Sequence, residues 1–184
     1  MFQIIKHDML KYFYLYFGKG SIFALFAFFL TLIFGKFYKK HQGENFDYNI
    51  VFFKKAVIMA ILSLYVYVVI GITLLSREIH SEMYINLQLF YSFDKSLVAP
   101  KYLYENIIML IPLAILLYML AAPFRNIVIS LLTGFFFSLT IECVQLVTRL
   151  GSFMVDDIWT NTLGMFIGFT ICWLVSTIWR TIKK

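Results

Sequence analysis

Five long intervals without a charged residue constrain this chain more than any other feature of its sequence. A charged side chain at the centre of a bilayer costs about 2.5–3.5 kcal/mol on insertion scales, and about 20 mostly apolar residues span the hydrocarbon core. The intervals run over residues 20–35, 56–76, 106–124, 126–141 and 158–179, the fourth extending past Glu142 to Thr148. They predict transmembrane helices near residues 21–38, 54–75, 106–123, 127–148 and 159–179.

The overall composition supports the same fold class. Only 14% of the 184 residues are charged and 61% are hydrophobic, whereas a soluble domain has about 25% charged residues to cover its surface. This excludes a soluble enzyme, a nucleic-acid-binding domain and a small secreted fold held by disulfides. We therefore predict an all-α, polytopic integral membrane bundle of about five helices. Cys143 and Cys172 fall in separate apolar intervals, and no disulfide between them is expected.

The first 17 residues differ from the intervals that follow. Lys6, Asp8 and Lys11 interrupt an otherwise apolar stretch, which favours an amphipathic segment lying in the headgroup region. A cleaved signal peptide is the alternative, because a basic stretch precedes an apolar one. No small-residue cleavage signature follows Phe34, so we expect the first helix to be retained.

The distribution of lysine and arginine predicts the orientation in the plasma membrane. After the first helix, nine of these residues lie on the same side as the C-terminus and four on the opposite side. The positive-inside rule therefore places the C-terminus in the cytoplasm and residues 76–105 and 149–158 outside. The basic pairs at 39–40 and 54–55 are expected to contact anionic lipids of the inner leaflet, not a nucleic acid.

One ionisable residue lies within a predicted transmembrane span. Glu142 lies about six residues inside the outer end of the fourth helix, and at such a depth an acidic side chain normally faces the bundle interior or a water-filled cavity. Ser138, Gln145 and Arg149 follow the same helical face at i−4, i+3 and i+7. We predict an inward polar stripe in which Arg149 neutralises Glu142 or the aspartates of the next loop.

The fifth helix carries a matching face. Asp157, Asn161, Gly164 and Gly168 are spaced by four, three and four residues, so their side chains share one side of a helix. The glycines predict close helix packing, and the carboxylate and amide lie at the outer end. If the faces of the fourth and fifth helices meet, an outward-opening polar pocket results.

Each of these residues also has a structural interpretation that the sequence leaves open. Asp156 and Asp157 are suited to cap the N-terminus of the fifth helix, and Asn106 to cap the third. Glu142 can hold two helices together through hydrogen bonds, and Arg149 can contact lipid phosphate. The remaining positions that have such an interpretation are Arg77 as the end of the second helix, Asn86 as a turn residue and Pro112 as a kink.

The polar residues also form a recognisable pattern along the sequence. It consists of Glu142-Cys-Val-Gln145, Arg149-Leu-Gly-Ser-Phe-Met-Val-Asp156-Asp157 and Asn161-Thr-Leu-Gly164-Met-Phe-Ile-Gly168, preceded by Arg77, Asn86-Leu87, Phe90, Asn106 and Pro112. This pattern resembles the VanZ family of small bacterial membrane proteins over residues 77–170. Met154 stands where that family usually carries a further aspartate. The resemblance divides the chain into residues 1–75, with the N-terminal segment and two helices, and a VanZ-like region at 76–184.

The resemblance implies a phenotype and not a reaction. The family is named for a protein associated with low-level resistance to teicoplanin and related glycopeptide antibiotics in Gram-positive bacteria. The first hypothesis is a non-enzymatic protein whose outward pocket binds a lipid headgroup, a lipid-linked cell-wall precursor or the drug, with no cofactor and no metal ion. Its expected ligand-binding residues are Arg77, Asn86, Asn106, Glu142, Gln145, Arg149, Asp156, Asp157 and Asn161.

The second hypothesis is an intramembrane enzyme acting on a lipid-linked substrate of the cell envelope. Glu142 and the Asp156-Asp157 pair would then serve as acid and base or hold a divalent cation. No histidine or serine nucleophile arrangement accompanies these carboxylates in the sequence, which favours the binding protein. Transport is a weaker third interpretation, because five spans without repeat symmetry are few for a transporter.

Overall fold

The computed structural model describes residues 2–41, 50–79, 82–91 and 99–183. Within these ranges, five helices are long and apolar enough to cross a membrane. The all-α, polytopic membrane bundle predicted from the sequence is therefore confirmed. The helices are α1 (Phe2–His41), α2 (Ile50–Ile70), α3 (Ala99–Leu120), α4 (Ile127–Thr148) and α5 (Val155–Ile182).

The observed helix bounds extend beyond several of the predicted spans. α1 is one continuous helix from Phe2, so the N-terminal segment is joined to the first span and is not a separate element. Lys11 and Lys19 are exposed on its surface, where charged side chains do not disturb the backbone hydrogen bonds. Residues 42–49, between the first two predicted helices, and residues 80–81 and 92–98 of the predicted outer loop at 76–105 lie outside the described residues.

α2 ends in a π-helical turn at Gly71–Leu75. The last carbonyl groups of a helix have no partner within it, and here two of them are satisfied by side chains. The Ser76 hydroxyl donates to the carbonyl oxygen of Ile72 at 2.8 Å, and Gln145 of α4 donates to that of Thr73 at 2.8 Å. The π-turn therefore connects the end of α2 to α4.

The core forms where α3 packs against α5. Leu110, Leu113, Ala114 and Leu117 of α3 surround Met165 of α5 in one buried cluster. Two glycines of α5 face the α3 backbone: a Cβ atom at Gly164 would overlap the carbonyl oxygen of Ile107, and one at Gly168 would overlap that of Ile111. The absence of side chains at these positions lets the two helices approach closely.

A short parallel sheet joins two connections at one end of the bundle. Its strands are β1 (Ile85–Asn86), between α2 and α3, and β2 (Phe153–Met154), between α4 and α5. Asn86 is paired with Met154. The sequence did not predict these strands, because each has only two residues. The sheet lies where α2 and α4 end and where α3 and α5 begin.

Candidate functional site

The polar stripe predicted on α4 faces the interior. Ser138, Glu142 and Gln145 have exposed fractions of 0%, 2% and 2%, although they belong to a helix suited to lipid. Buried polar side chains need hydrogen-bonding partners, and each of these three has one. The partners come from α2, α5 and the connection between α4 and α5, so the stripe is a meeting point of several elements.

Glu142 binds the backbone of β2. Its Oε2 atom accepts a hydrogen bond from the Met154 N–H group at 2.8 Å. A carboxylate accepting an N–H bond is among the stronger hydrogen bonds in proteins. Glu142 thus fixes the connection between α4 and α5 against the end of α4.

Arg77 approaches this region from the end of α2. A Cβ atom added at Gly151 would lie 3.1 Å from Arg77 Nη1 and 3.2 Å from Gln145 Cδ, so the glycine leaves room for both side chains. Arg77 also attracts the carboxylates of Glu142 and Asp157 electrostatically. Arg77 therefore supplies a positive charge beside Glu142 and Asp157.

Arg149 does not take the place predicted for it. α4 ends at Thr148, and Arg149 adopts a left-handed backbone conformation with φ of 58° as the C-cap. Its N–H group bonds to the carbonyl oxygens of Gln145 and Leu146, and its side chain is exposed. The helical spacing that placed Arg149 on the stripe does not apply beyond the end of the helix.

Asn161 and Asp157 contribute the facing side of α5. Asn161 Nδ2 donates to Ser138 Oγ at 2.8 Å, so the predicted faces of α4 and α5 do meet. Asp157 interacts with Arg77 and with the side chain of Asn106. Asn106 lies inside α3, which begins at Ala99, and the prediction that it caps this helix is wrong.

Asp156 points to a different partner from its neighbour Asp157. It is 4% exposed, and its Oδ1 atom accepts a hydrogen bond from the Phe90 N–H group at 2.6 Å. The N-cap of α5 is Met154, with no side-chain cap, so neither aspartate occupies the N-cap position. Asp156 instead connects α5 to the loop that contains β1.

Asn86 belongs to this loop and points inward. Its Oδ1 atom accepts from the Gln88 N–H group at 2.9 Å, the pattern of an Asx-turn. The side chain is 8% exposed, and its Nδ2 atom is buried without a hydrogen-bonding partner. The turn interpretation of Asn86 is therefore correct for its oxygen, while its amide nitrogen remains available.

We call the side chains of Arg77, Asn106, Glu142, Gln145, Asp157 and Asn161 the polar cluster. It combines two carboxylates, one guanidinium and three amides at one end of the bundle. Two polar atoms in it or beside it are buried without a partner, Asn86 Nδ2 and Asn161 Oδ1. In the part of the chain that the structure describes, no three His, Cys, Asp or Glu side chains are grouped as metal ligands.

Two residues that adjoin the polar cluster, Thr73 and Gly151, were not predicted from the sequence. Thr73 takes part through its carbonyl oxygen, which any residue would provide, so its type contains no signal. Gly151 was identifiable in principle, because a glycine between Arg149 and Asp156 indicates a tight connection or a close approach. Its role depends on Arg77, which is distant in sequence.

The fold and the polar cluster define a polytopic membrane protein with a partly buried polar site at one end of its helical bundle. The family model VanZ/LLP1 matches residues 57–176, about two thirds of the chain. The protein therefore belongs to the VanZ/LLP1 family, as the sequence resemblance predicted. The match begins within α2 and ends within α5, so that α1 lies outside it. No curated protein and no solved structure matches the chain.

Proposed function

We propose that the protein binds a polar group at the outer leaflet of the bacterial plasma membrane and thereby contributes to resistance to teicoplanin and related glycopeptide antibiotics. The bound group would be a lipid headgroup, a lipid-linked cell-wall precursor or the drug itself. The phenotype comes from the protein for which the VanZ family is named. The positive-inside rule supports an outer site and a cytoplasmic C-terminus.

The unpaired buried atoms of the site carry this proposal. A buried donor or acceptor without a partner costs about 1–3 kcal/mol, and two of them lie in or beside the polar cluster. A cluster that served only to hold helices together would satisfy its own members. One free amide donor, Asn86 Nδ2, and one free acceptor, Asn161 Oδ1, indicate that an external group completes the hydrogen bonding.

The charges of the cluster narrow the chemistry of that group. Glu142 and Asp157 provide two acidic side chains, against the single guanidinium of Arg77. The cluster thus offers more carboxyl and amide groups than cationic groups, which is a poor match for a simple anion. Hydroxyl and amide groups both donate and accept, so they fit a site that offers carboxylates and amides together. Sugar and peptide portions of cell-envelope precursors and of glycopeptides have this chemistry.

A susceptibility assay in a glycopeptide-sensitive Gram-positive host tests the proposal. The strains express the wild type, Asn161→Ala, Asp157→Asn and, as a matched control, Glu78→Gln, whose carboxylate is exposed. We expect the wild type and Glu78→Gln to raise the inhibitory concentration of teicoplanin, and the two cluster variants to lose that effect at equal membrane abundance. Absence of protection by the wild type would refute the proposed function.

Intramembrane catalysis remains the second candidate, because Glu142 and Asp157 are close enough to influence each other electrostatically. Glu142→Gln distinguishes the two functions, since it preserves shape and hydrogen bonding but removes acid–base chemistry. A binding site should retain much of its protection in Glu142→Gln and lose it in Glu142→Ala. Equal loss in both variants would favour the enzyme.

A further inference from the structure

The loop over residues 82–91, which we call the β1 loop, inserts a single side chain beside the polar cluster. Ile85 and Leu87 are 55% and 69% exposed, whereas Asn86 between them is 8% exposed. The pairing of Asn86 with Met154 holds this side chain beside the strand that Glu142 binds. The β1 loop therefore lies on the surface and reaches the interior at one position.

The first attachment of the β1 loop is its contact with β2. Besides the strand pairing, the Phe153 N–H group donates to the carbonyl oxygen of Tyr84 at 2.9 Å. Within the loop, Tyr91 lies beside Tyr84 and raises the pKa of its hydroxyl. These contacts set the register of the loop, but two-residue strands provide few hydrogen bonds.

The second attachment is Phe90. Its N–H group donates to Asp156 Oδ1 at 2.6 Å, and its ring packs edge-on against Trp159 with 5.8 Å between centroids. Phe90 also has a φ of 64°, in the left-handed region that aromatic residues disfavour. Such a conformation persists only when surrounding contacts determine it, and Asp156 and Trp159 of α5 supply them.

The two adjacent aspartates, Asp156 and Asp157, thus contact different elements of the fold. Successive residues of an α-helix point about 100° apart, so Asp157 faces Arg77 and Asn106 while Asp156 faces the β1 loop. We infer that Asp156 is a positioning residue that latches the β1 loop over the polar cluster, and that release of this loop admits the ligand. The identity of that ligand rests on the proposed function, whereas the latch rests on the contacts of Asp156 and Phe90.

Cysteine accessibility in purified protein tests the latch. Cys143 and Cys172 are first replaced by alanine, and one new cysteine is introduced as Asn86→Cys or, as the exposed neighbouring control, Leu87→Cys. A water-soluble maleimide should modify Asn86→Cys at least about tenfold more slowly than Leu87→Cys, because a loop held by a charge-assisted hydrogen bond opens rarely.

Three substitutions are then added to each cysteine variant. Asp156→Ala should bring the two modification rates to within about threefold, because the Phe90 N–H group loses its acceptor. Asp156→Asn should keep most of the difference, since its amide oxygen can still accept. Asp157→Asn, which changes the neighbouring carboxylate, should leave the difference intact. The inference would be overturned if Asp156→Ala left the difference between the two modification rates unchanged. It would also be overturned if Asn86→Cys and Leu87→Cys were modified at equal rates before any of these substitutions was added.

Hydrogen exchange of the wild-type protein provides a measurement that requires no substitution. The Phe90 amide should exchange at least about tenfold more slowly than in a free peptide of the same sequence, although its loop is largely exposed. Exchange at the free-peptide rate would contradict the latch, even if Asp156→Ala failed to fold. Neither measurement uses an antibiotic, so failure of the latch and failure of the proposed function remain distinguishable.

Discussion

The contact between α3 and α5 allows a quantitative prediction at Gly168. In Gly168→Ala, the added Cβ atom would lie 2.5 Å from the carbonyl oxygen of Ile111 and 2.7 Å from the Cβ atom of Ala114. Ordinary contacts of these kinds are about 3.3 Å or longer for C···O and about 3.5–4.0 Å for C···C. The helices must therefore separate locally by about 1 Å.

The cost of this separation follows from lost packing. A gap of about 0.5–1 Å forfeits a quarter to a half of the dispersion energy of each contact it opens, and helix association in lipid depends largely on such contacts. Overpacking substitutions typically cost about 1–3 kcal/mol. We expect Gly168→Ala to lower the free energy of unfolding by that amount.

Unfolding in mixed micelles of increasing SDS fraction measures the effect. Gly18→Ala is the matched control, because a Cβ atom at Gly18 has nothing within 4 Å, and it should be neutral or stabilise the protein by up to about 1 kcal/mol through the higher helix propensity of alanine. Adding Ala114→Gly to Gly168→Ala should restore only part of the loss, since the backbone of Ile111 still blocks the Cβ atom. Equal stabilities of Gly168→Ala and Gly18→Ala would refute the packing argument.

Two further changes have expected effects on stability that the same unfolding titration measures. Gln145→Leu removes the donor to the carbonyl oxygen of Thr73 and should lower the free energy of unfolding by about 0.6 kcal/mol. Such hydrogen bonds between membrane helices contribute at most about 1.7 kcal/mol. An unchanged free energy of unfolding would show that water replaces the amide. Arg149→Gly should stabilise the protein by up to about 1 kcal/mol, because glycine adopts the left-handed conformation without strain; destabilisation would instead indicate a contact of the Arg149 side chain.

The membrane spans were predictable from the sequence because charge is nearly incompatible with lipid. The predicted fourth helix, residues 127–148, coincides with α4, since Arg125 and Arg149 bracket an apolar interval. α1, α3 and α5 extend beyond their predicted spans through segments that contain charged side chains, and α2 begins four residues before its predicted start. Hydropathy locates the part of a helix that lipid surrounds, whereas the helix itself ends where backbone hydrogen bonding ends.

The candidate site was predictable only where helical periodicity applies. Ser138, Glu142, Gln145 and Asn161 were correctly expected to face inward, because spacing along one helix fixes their common side. Arg77 lies far from Glu142 in sequence, and no local pattern links the two. The electrostatic interaction of Arg77 with Glu142 and Asp157 depends on how α2 packs against α4 and α5, which a single sequence does not specify.

The pairing of β1 with β2 has a consequence for the order in which the protein assembles. Its two strands are separated in sequence by all of α3 and α4, and contacts between distant segments form only after the chain between them is organised. A chain that enters the bilayer from its N-terminus exposes Asn86 well before Met154 has been synthesised. The polar cluster is thus completed only when α5 inserts, and a chain truncated before α5 would reach the membrane without it.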